Sequence, residues 1–214
     1  MEAGATTDSS SIASNEETDR WPSLNTLALM RKATTPADIS SIAIEHWHRV
    51  KFWVDEKLHR NCFLVLPKAC EITWGYKGSC SSWITEKENC FRSAVDIHVF
   101  KLKKLSWLFI QGRFRTIALS PYTTYEVAFV VKLIGTDDEW QHPVELELGL
   151  PDGTKETSMA DLKLKPKEEW INLRAGEFIM DPGTVGTIHF ALYETFDPEK
   201  SGLILRGVTI HPKD

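Results

Sequence analysis

The sequence lacks the features that would indicate a membrane or secreted protein. No apolar run reaches the roughly 18 residues that a membrane-spanning helix needs, and no broad basic face suggests a membrane surface. Residues 1–20 are rich in Ser, Thr and Glu and contain no apolar signal core, so they predict a disordered tail rather than a secretory leader. We therefore expect no contact with membranes and a reducing, cytoplasmic compartment.

Motifs of enzymes and of metal sites are also missing. There is no Gly-x-Ser-x-Gly, no phosphate-binding loop and no Cys-x-x-Cys pair. Glu168 and Glu169 are adjacent acids, but they follow Lys163, Lys165 and Lys167 and so predict a charged surface loop instead of a glycosidase pair. The prediction is a binding or structural protein with no catalytic residue, cofactor or metal ion.

Length and charge limit the number of domains and the kinds of ligand that the protein can bind. The 214 residues allow one domain of ordinary size with an extension. The formal net charge of −5 argues against tight, non-specific binding to phosphate backbones. The basic run at residues 101–104 is the one feature that supports RNA binding, and such a short run usually forms a solvated face.

The four cysteines, Cys62, Cys70, Cys80 and Cys90, all lie in one short segment. In a reducing compartment we expect free thiols. A Cys80–Cys90 loop, or cross-links between chains, remain alternatives in an oxidising setting. The sequence leaves the pairing open.

Residues 21–60 carry a helical pattern. Thr35 can cap a helix that starts with Pro36, and Asp38 places a carboxylate in its first turn. Apolar residues then recur at spacings of three to four, which predicts one apolar stripe. The stripe predicts a helix packed on the following domain, with a dimerisation or filament-forming face as the alternative. Its members are Ile39, Ile42, Ala43, Trp47, Val50, Trp53 and Val54.

The pattern changes to short strands in residues 61–214. Residues 125–133 are β-branched and aromatic, and residues 144–148 alternate strictly between apolar and polar. Turn signals such as Ser120-Pro121 and Asp181-Pro182-Gly183 separate the runs. Several short strands without long helices between them predict an all-β antiparallel sandwich. Further strands are predicted at 105–110, 170–173, 187–193 and 203–210.

Several of these segments match one family in order. Residues 62–74 form an apolar strand, a turn and a Thr-Trp end, and residues 104–113 read as a Trp-Leu strand that ends in Gly-Arg. Leu-Ser-Pro-Tyr-Thr-Thr-Tyr follows at 119–125, and Gly-Glu-Phe stands at 176–178. Residues 200–213 run Lys-Ser-Gly-Leu-Ile to His-Pro-Lys. Together they resemble the plant phloem protein 2 lectins, which include the Nictaba-related lectins, over about residues 62–213.

This resemblance implies a jelly-roll sandwich similar to carbohydrate-binding modules. It implies binding of N-acetylglucosamine oligomers, namely chitooligosaccharides and N-glycan cores, without catalysis. It also implies a plant-defence protein of phloem companion cells and sieve-element sap. The expected partners are a second copy in a homodimer and phloem filament proteins linked through disulfides.

The resemblance also implies a sugar site of aromatic and polar side chains. Ser81 stands where the family has a second loop tryptophan, and Glu199 stands where relatives have a tryptophan before Lys-Ser-Gly. Apolar context places Trp107 and Trp170 in the core, and the same argument applies to Trp83, which matches the last tryptophan of the family's loop. The predicted site comprises Trp74, Tyr76, Ser81, Trp83, Glu194, Phe196 and Lys200.

Two alternatives to a working lectin follow from the same residues. The missing indole at Ser81 is compatible with a structural phloem protein that has lost sugar binding and polymerises through its helix and cysteines. Weak RNA binding through residues 101–104 is the second alternative.

Overall fold

Almost all of the described chain is β-structure. The computed structural model describes residues 49–73, 75–90, 93–135, 140–196 and 199–213, and for 88–90 and 93–95 it describes the backbone alone. No helix among the described residues is long and apolar enough to cross a membrane. The strands are β1 (Val50–Val54), β2 (Asn61–Val65), β3 (Glu71–Ile72), β4 (Ser81–Cys90), β5 (Ser93–Leu102), β6 (Leu108–Arg115), β7 (Thr123–Leu133), β8 (Val144–Gly149), β9 (Lys155–Ala160), β10 (Trp170–Met180), β11 (Thr187–Glu194) and β12 (Leu203–Pro212).

The strands form two antiparallel sheets. In the seven-stranded sheet, β12 pairs with β7 along one edge and with both β5 and β2 along the other, and β4, β1 and β10 complete the sheet. In the five-stranded sheet the order is β3-β6-β11-β8-β9. Short 3-10 turns connect some strands, at Pro67–Ala69, Thr116–Ala118, Leu162–Leu164 and Pro182–Thr184.

One glycine is required where the central strand bulges. The register of β12 against β7 shifts between Leu205 and Gly207. A Cβ added at Gly207 would lie 2.4 Å from the carbonyl oxygen of Val65, and the φ of +152° is one that other residues rarely adopt. The bulge separates the part of β12 that pairs with β5 from the part that pairs with β2.

The core lies between the inner faces of the two sheets. Phe63 of β2 packs on Phe114 of β6 with ring centroids 4.8 Å apart, and Phe129 of β7 meets Phe190 of β11 edge-on at 6.0 Å. All four rings are almost fully buried. Each Å² of apolar surface buried between the sheets stabilises the sandwich by about 25 cal/mol, and this burial holds the two sheets face to face. The predicted all-β antiparallel sandwich is confirmed.

The predicted helix at 21–60 is wrong for residues 50–54, which form β1. Lys51 pairs with Leu64 and Trp53 pairs with Cys62, while Val50 and Phe52 point into the core. The helical stripe counted Val50, Trp53 and Val54, but β-branched and aromatic residues that alternate with period two fit a strand better. The predicted tail at 1–20 and the rest of the predicted helix lie outside the described residues.

A buried tyrosine joins the starts of β7 and β2 to a turn. The Tyr125 hydroxyl donates to the carbonyl oxygen of Asn61 at 3.0 Å and accepts from the Ser120 backbone N–H at 3.0 Å. The Asn61 amide donates in turn to the carbonyl oxygen of Ala118 at 2.9 Å. Burial raises the pKa of Tyr125, so the phenol stays neutral and can serve both partners.

Replacing Tyr125 with phenylalanine should destabilise the sandwich. The change keeps the ring but leaves the Asn61 carbonyl and the Ser120 N–H with one partner fewer in a buried place, which costs about 1–3 kcal/mol. Urea unfolding of Tyr125→Phe would measure it. Tyr122→Phe is the control, because that side chain is exposed and should change stability little. Equal stabilities of the two variants would contradict the role given to the hydroxyl.

Candidate functional site

Four loops meet at one end of the sandwich, which we call the loop end. They are the β3–β4 loop (73–80), the β5–β6 loop (103–107), the β7–β8 loop (134–143) and the β11–β12 loop (195–202). Backbone N–H groups of Lys103 and Lys104 donate to the Cys80 carbonyl, and Leu105 and Lys200 exchange two backbone hydrogen bonds. The indole of Trp140 donates to the Ser201 carbonyl at 3.1 Å. These bonds bring all four loops into one surface.

A buried ion pair lies beneath this surface. Glu194, at the end of β11, and Lys200, just before β12, are 3% and 2% exposed and form a salt bridge. The Lys200 ammonium also donates to the backbone carbonyls of Ser106 and Phe196. The other Glu194 oxygen accepts from the Phe196 backbone N–H at 2.8 Å. Burial lowers the pKa of Lys200, and the carboxylate and carbonyls offset that cost.

This pair positions two exposed aromatic rings. Lys200 binds the carbonyl of Ser106, directly before Trp107, and the carbonyl of Phe196 itself. Trp107 is 63% exposed and Phe196 is 61% exposed. The Phe196 ring also stacks on His142 with centroids 4.8 Å apart. The buried charges therefore fix the backbone, and the backbone presents the aromatic groups to solvent.

The prediction that Trp107 belongs to the core is wrong. Strand β6 starts at Leu108, and Leu108 and Ile110 fill the inward positions. The alternation of a strand then turns residues 107 and 109 outward. The apolar run 105–110 concealed this alternation, because both of its faces carry large apolar side chains.

The β3–β4 loop contributes a second aromatic group. Tyr76 is 88% exposed and lies 6.4 Å, centroid to centroid, from Trp83. Trp83 is half-buried and packs edge-on against Phe100 of the core at 5.7 Å. The Ser81 hydroxyl is buried and donates to the Gly75 carbonyl at 2.7 Å, so it holds the loop. Trp74 lies outside the described residues.

Next to the loop end, the outer face of the five-stranded sheet carries a group of aromatic and acidic side chains that the sequence pattern did not predict as a site. Phe109 of β6 and Tyr193 of β11 are cross-strand partners with ring centroids 5.8 Å apart. Glu145 of β8 is the next partner, and the hydrogen bond to its carboxylate raises the pKa of Tyr193 to about 12. Strict alternation in β8 was the available signal, since it places Glu145 on the outer face.

Trp170 and the basic run at residues 101–104 lie apart from these aromatic groups or are engaged in contacts within the protein. Trp170 is partly buried on the outer face of the seven-stranded sheet, with the Lys132 ammonium 4.4 Å from its ring centroid. In the basic run, Lys103 donates to the Gly78 carbonyl and Lys104 pairs with Glu199 at 2.6 Å. No group of three or more potential metal ligands occurs among the described residues.

The sequence profile of the family described as Phloem protein 2 matches residues 60–212. The chain belongs to the phloem protein 2 family. It is 35% identical to Protein PHLOEM PROTEIN 2-LIKE A1 of Arabidopsis thaliana over 202 residues, covering 88% of this chain and 80% of the relative. It is 32% identical to a lectin of Luffa acutangula over 164 residues, covering 76% of each.

The chain also has a weaker likeness to solved structures, among them a xylan-binding domain. The CBM22-1 xylan-binding domain of Paenibacillus barcinonensis Xyn10C aligns with a TM-score of 0.33 at 13% identity, covering 67% of this chain and 85% of that domain. The phloem protein 2 membership rests on the sequence matches.

Within this phloem protein 2 domain, the cysteines differ in accessibility. Cys62 and Cys70 are buried free thiols, and burial raises the pKa of each to about 12. Cys80 is a partly exposed free thiol in the β3–β4 loop. The side chain of Cys90 lies outside the described residues.

Thiol reagents should therefore distinguish these cysteines. Because the thiolate is the reacting species, Cys80 should be modified by iodoacetamide at pH 8 well before Cys62 and Cys70, which should react only on unfolding. Peptide mass mapping over time would measure the order. Modification of Cys62 or Cys70 in the folded protein at the rate of Cys80 would contradict the burial argument.

Removing the buried cation should cost more than removing an exposed one. Lys200→Met leaves the Glu194 carboxylate buried without its partner, which should destabilise the domain by about 3–5 kcal/mol. Lys104→Met is the matched control, because its pair with Glu199 is exposed and screened, so little change is expected. Urea unfolding of both variants gives the comparison, and equal losses would show that the Glu194–Lys200 pair has no special role.

Proposed function

We propose that this phloem protein 2 domain is a carbohydrate-binding lectin that holds N-acetylglucosamine oligomers at the loop end. The observation that supports this most is the exposure of Trp107 and Phe196 on backbone fixed by the buried Glu194–Lys200 pair. Exposed apolar patches on soluble proteins often mark surfaces that bind a ligand or a partner. The relatives from Luffa acutangula and Coccinia grandis that are described as lectins support the same ligand class.

The chemistry of a pyranose suits these rings. One face of the sugar is a patch of C–H groups that can stack on an indole or a phenyl ring, and each stacked contact is worth about 0.5–1.5 kcal/mol beyond burial, by analogy with aromatic pairs. Two or three such contacts, together with the burial of the sugar faces, suit binding in the millimolar to micromolar range, which corresponds to about −4 to −8 kcal/mol. An oligomer suits the site better than a single sugar, because Trp107, Phe196 and Tyr76 come from three different loops.

The predicted site residues, together with Trp107, which was predicted for the core, divide into two roles in this proposal. Trp107, Phe196 and Tyr76 contact the sugar, and Trp83 supports Tyr76 from below. Glu194, Lys200 and Ser81 hold the loops, since their polar atoms are buried and engaged by the protein. In this view Ser81 is a loop anchor, and its presence in place of an indole does not by itself remove the site. Trp74 stays a predicted contact.

We also propose, from the lectin relatives, that the protein works in phloem sap and acts on chitooligosaccharides or N-glycans. The homodimer and the phloem filament partners stay predictions. The structural alternative depends on cross-linking, and the partly exposed Cys80 is the thiol that favours it among the described ones. RNA binding is not proposed, because Lys103 and Lys104 are engaged within the loop end.

Calorimetric titration with chitotriose tests the proposal. Trp107→Ala and Phe196→Ala should each weaken binding about tenfold, since losing one stacked contact costs about 1.4 kcal/mol. Tyr122→Ala is the control, because this exposed aromatic residue precedes the start of β7, at the opposite end of that strand from the β7–β8 loop. Binding that is absent up to about 10 mM, or that is lost equally in all three variants, would overturn the proposal.

A further inference from the structure

The seven-stranded sheet carries buried apolar side chains on both faces. Phe63 and Val65 of β2 point into the core, so Leu64 between them points to the outer face. It belongs to a separate cluster of side chains that are 0–8% exposed. We call this cluster the outer patch. Its members are Leu64, Leu66, Ile97, Val99, Val130 and Ile204.

The outer patch needs a covering layer. The five-stranded sheet packs on the opposite face. Among the described residues, those that pack against the patch belong to the same sheet or its margins, namely Trp53, Ile84, Ile134 and Trp170. These neighbours are themselves only partly buried. Side-by-side neighbours in a sheet shield the flanks of a side chain but not its outward tip. Near-complete burial of Val99 and Leu66 therefore requires a segment lying above the sheet.

Several lysines flank the outer patch, together with Glu86, the cross-strand partner of Ile97. Lys51 is the cross-strand partner of Leu64, and Lys101 and Lys132 are the partners of Ile204 on its two sides. Cross-strand partners share a face, so these three ammonium groups flank the apolar centre. The Lys51 ammonium lies 5.6 Å from the Trp53 ring centroid, which also places it over the outer face. A covering segment should thus combine apolar residues with acidic ones.

We propose that residues 35–48 dock on the outer patch as an amphipathic helix. The described chain starts at Arg49, and the Arg49 carbonyl accepts a hydrogen bond at 2.7 Å from the N–H of Leu66, a member of the patch. The preceding segment thus arrives at the margin of the patch. It carries Asp38 and Glu45 and neither lysine nor arginine, which complements the flanking lysines.

The dimensions and the pattern also fit. A helix over residues 36–48 would be about 20 Å long. The patch extends across β12 to β7 on one side and to β5 and β2 on the other, which gives a width of roughly 10–15 Å at about 4.8 Å per strand. The helix is therefore long enough to cover the patch. Ile39, Ile42, Ala43 and Trp47 would form its apolar face. The sandwich would then have a third layer on this side.

Two single-residue variants of the full-length chain test this docking. Ile42→Asp places a charge on the apolar face of the helix, whereas Ser41→Asp places the same charge on its opposite side. Ile42→Asp should lower Tm by about 5 °C or more and increase binding of a hydrophobic dye, because the outer patch opens. Ser41→Asp should match the wild-type chain in both measurements. Equal behaviour of the two variants would overturn the proposal.

Hydrogen exchange of the wild-type chain gives an independent readout. Amides of residues 38–48 should be protected, and this protection should not change with protein concentration. In Ile42→Asp the protection should fall in residues 38–48 and rise nowhere else. Exchange of the wild-type segment at unfolded rates would overturn the docking. Protection that grows with concentration would also overturn it, because a second copy of the chain would then be the occupant.

Discussion

The geometry of the loop end depends on the buried pair of Glu194 and Lys200. Removing two charges from water is expensive, and their attraction offsets this only when further hydrogen bonds complete both groups. Here the ammonium binds two backbone carbonyls, and the carboxylate binds a backbone N–H. The pair thereby joins the end of β11, the start of β12 and the β5–β6 loop. A lysine suits this position because one compact cation with three donors can serve an anion and two carbonyls from different directions.

Much of the sandwich could be predicted from alternation and turns. Strands β7, β8, β11 and β12 were predicted within a few residues of their bounds, because their patterns are long and bounded by Pro, Gly or Asp. Strand β1 was misread because Val50, Trp53 and Val54 continue a helical spacing from the preceding segment. Both patterns are present in these residues, and the pairing with β2 decides for the strand.

The sequence predicts several residues of the candidate site, but it does not predict what each residue does there. The family pattern singled out Glu194, Phe196 and Lys200 as a group, and they do lie together. Their roles depend on which side chains point outward, and this is set by contacts between distant loops, such as the backbone pairing of Leu105 with Lys200. Trp107 shows the same point: the inward position of Leu108 decides its exposure, and a run that is apolar throughout hides the choice.

Strands β5 and β12 contribute side chains to the outer patch and also lead into loops of the loop end. Ile204 of the outer patch follows Lys200 by four residues at the start of β12, and Val99 lies in β5, which leads directly into the β5–β6 loop. Cover on the outer patch would therefore hold the end of β5 and the start of β12, which border the loops that contain Trp107 and Phe196. Because stacking on a sugar favours rings held in one orientation before binding, rigidity of these strand ends would lower the entropic cost of ligand capture. The residues before Arg49 would then contribute to recognition without contacting the ligand.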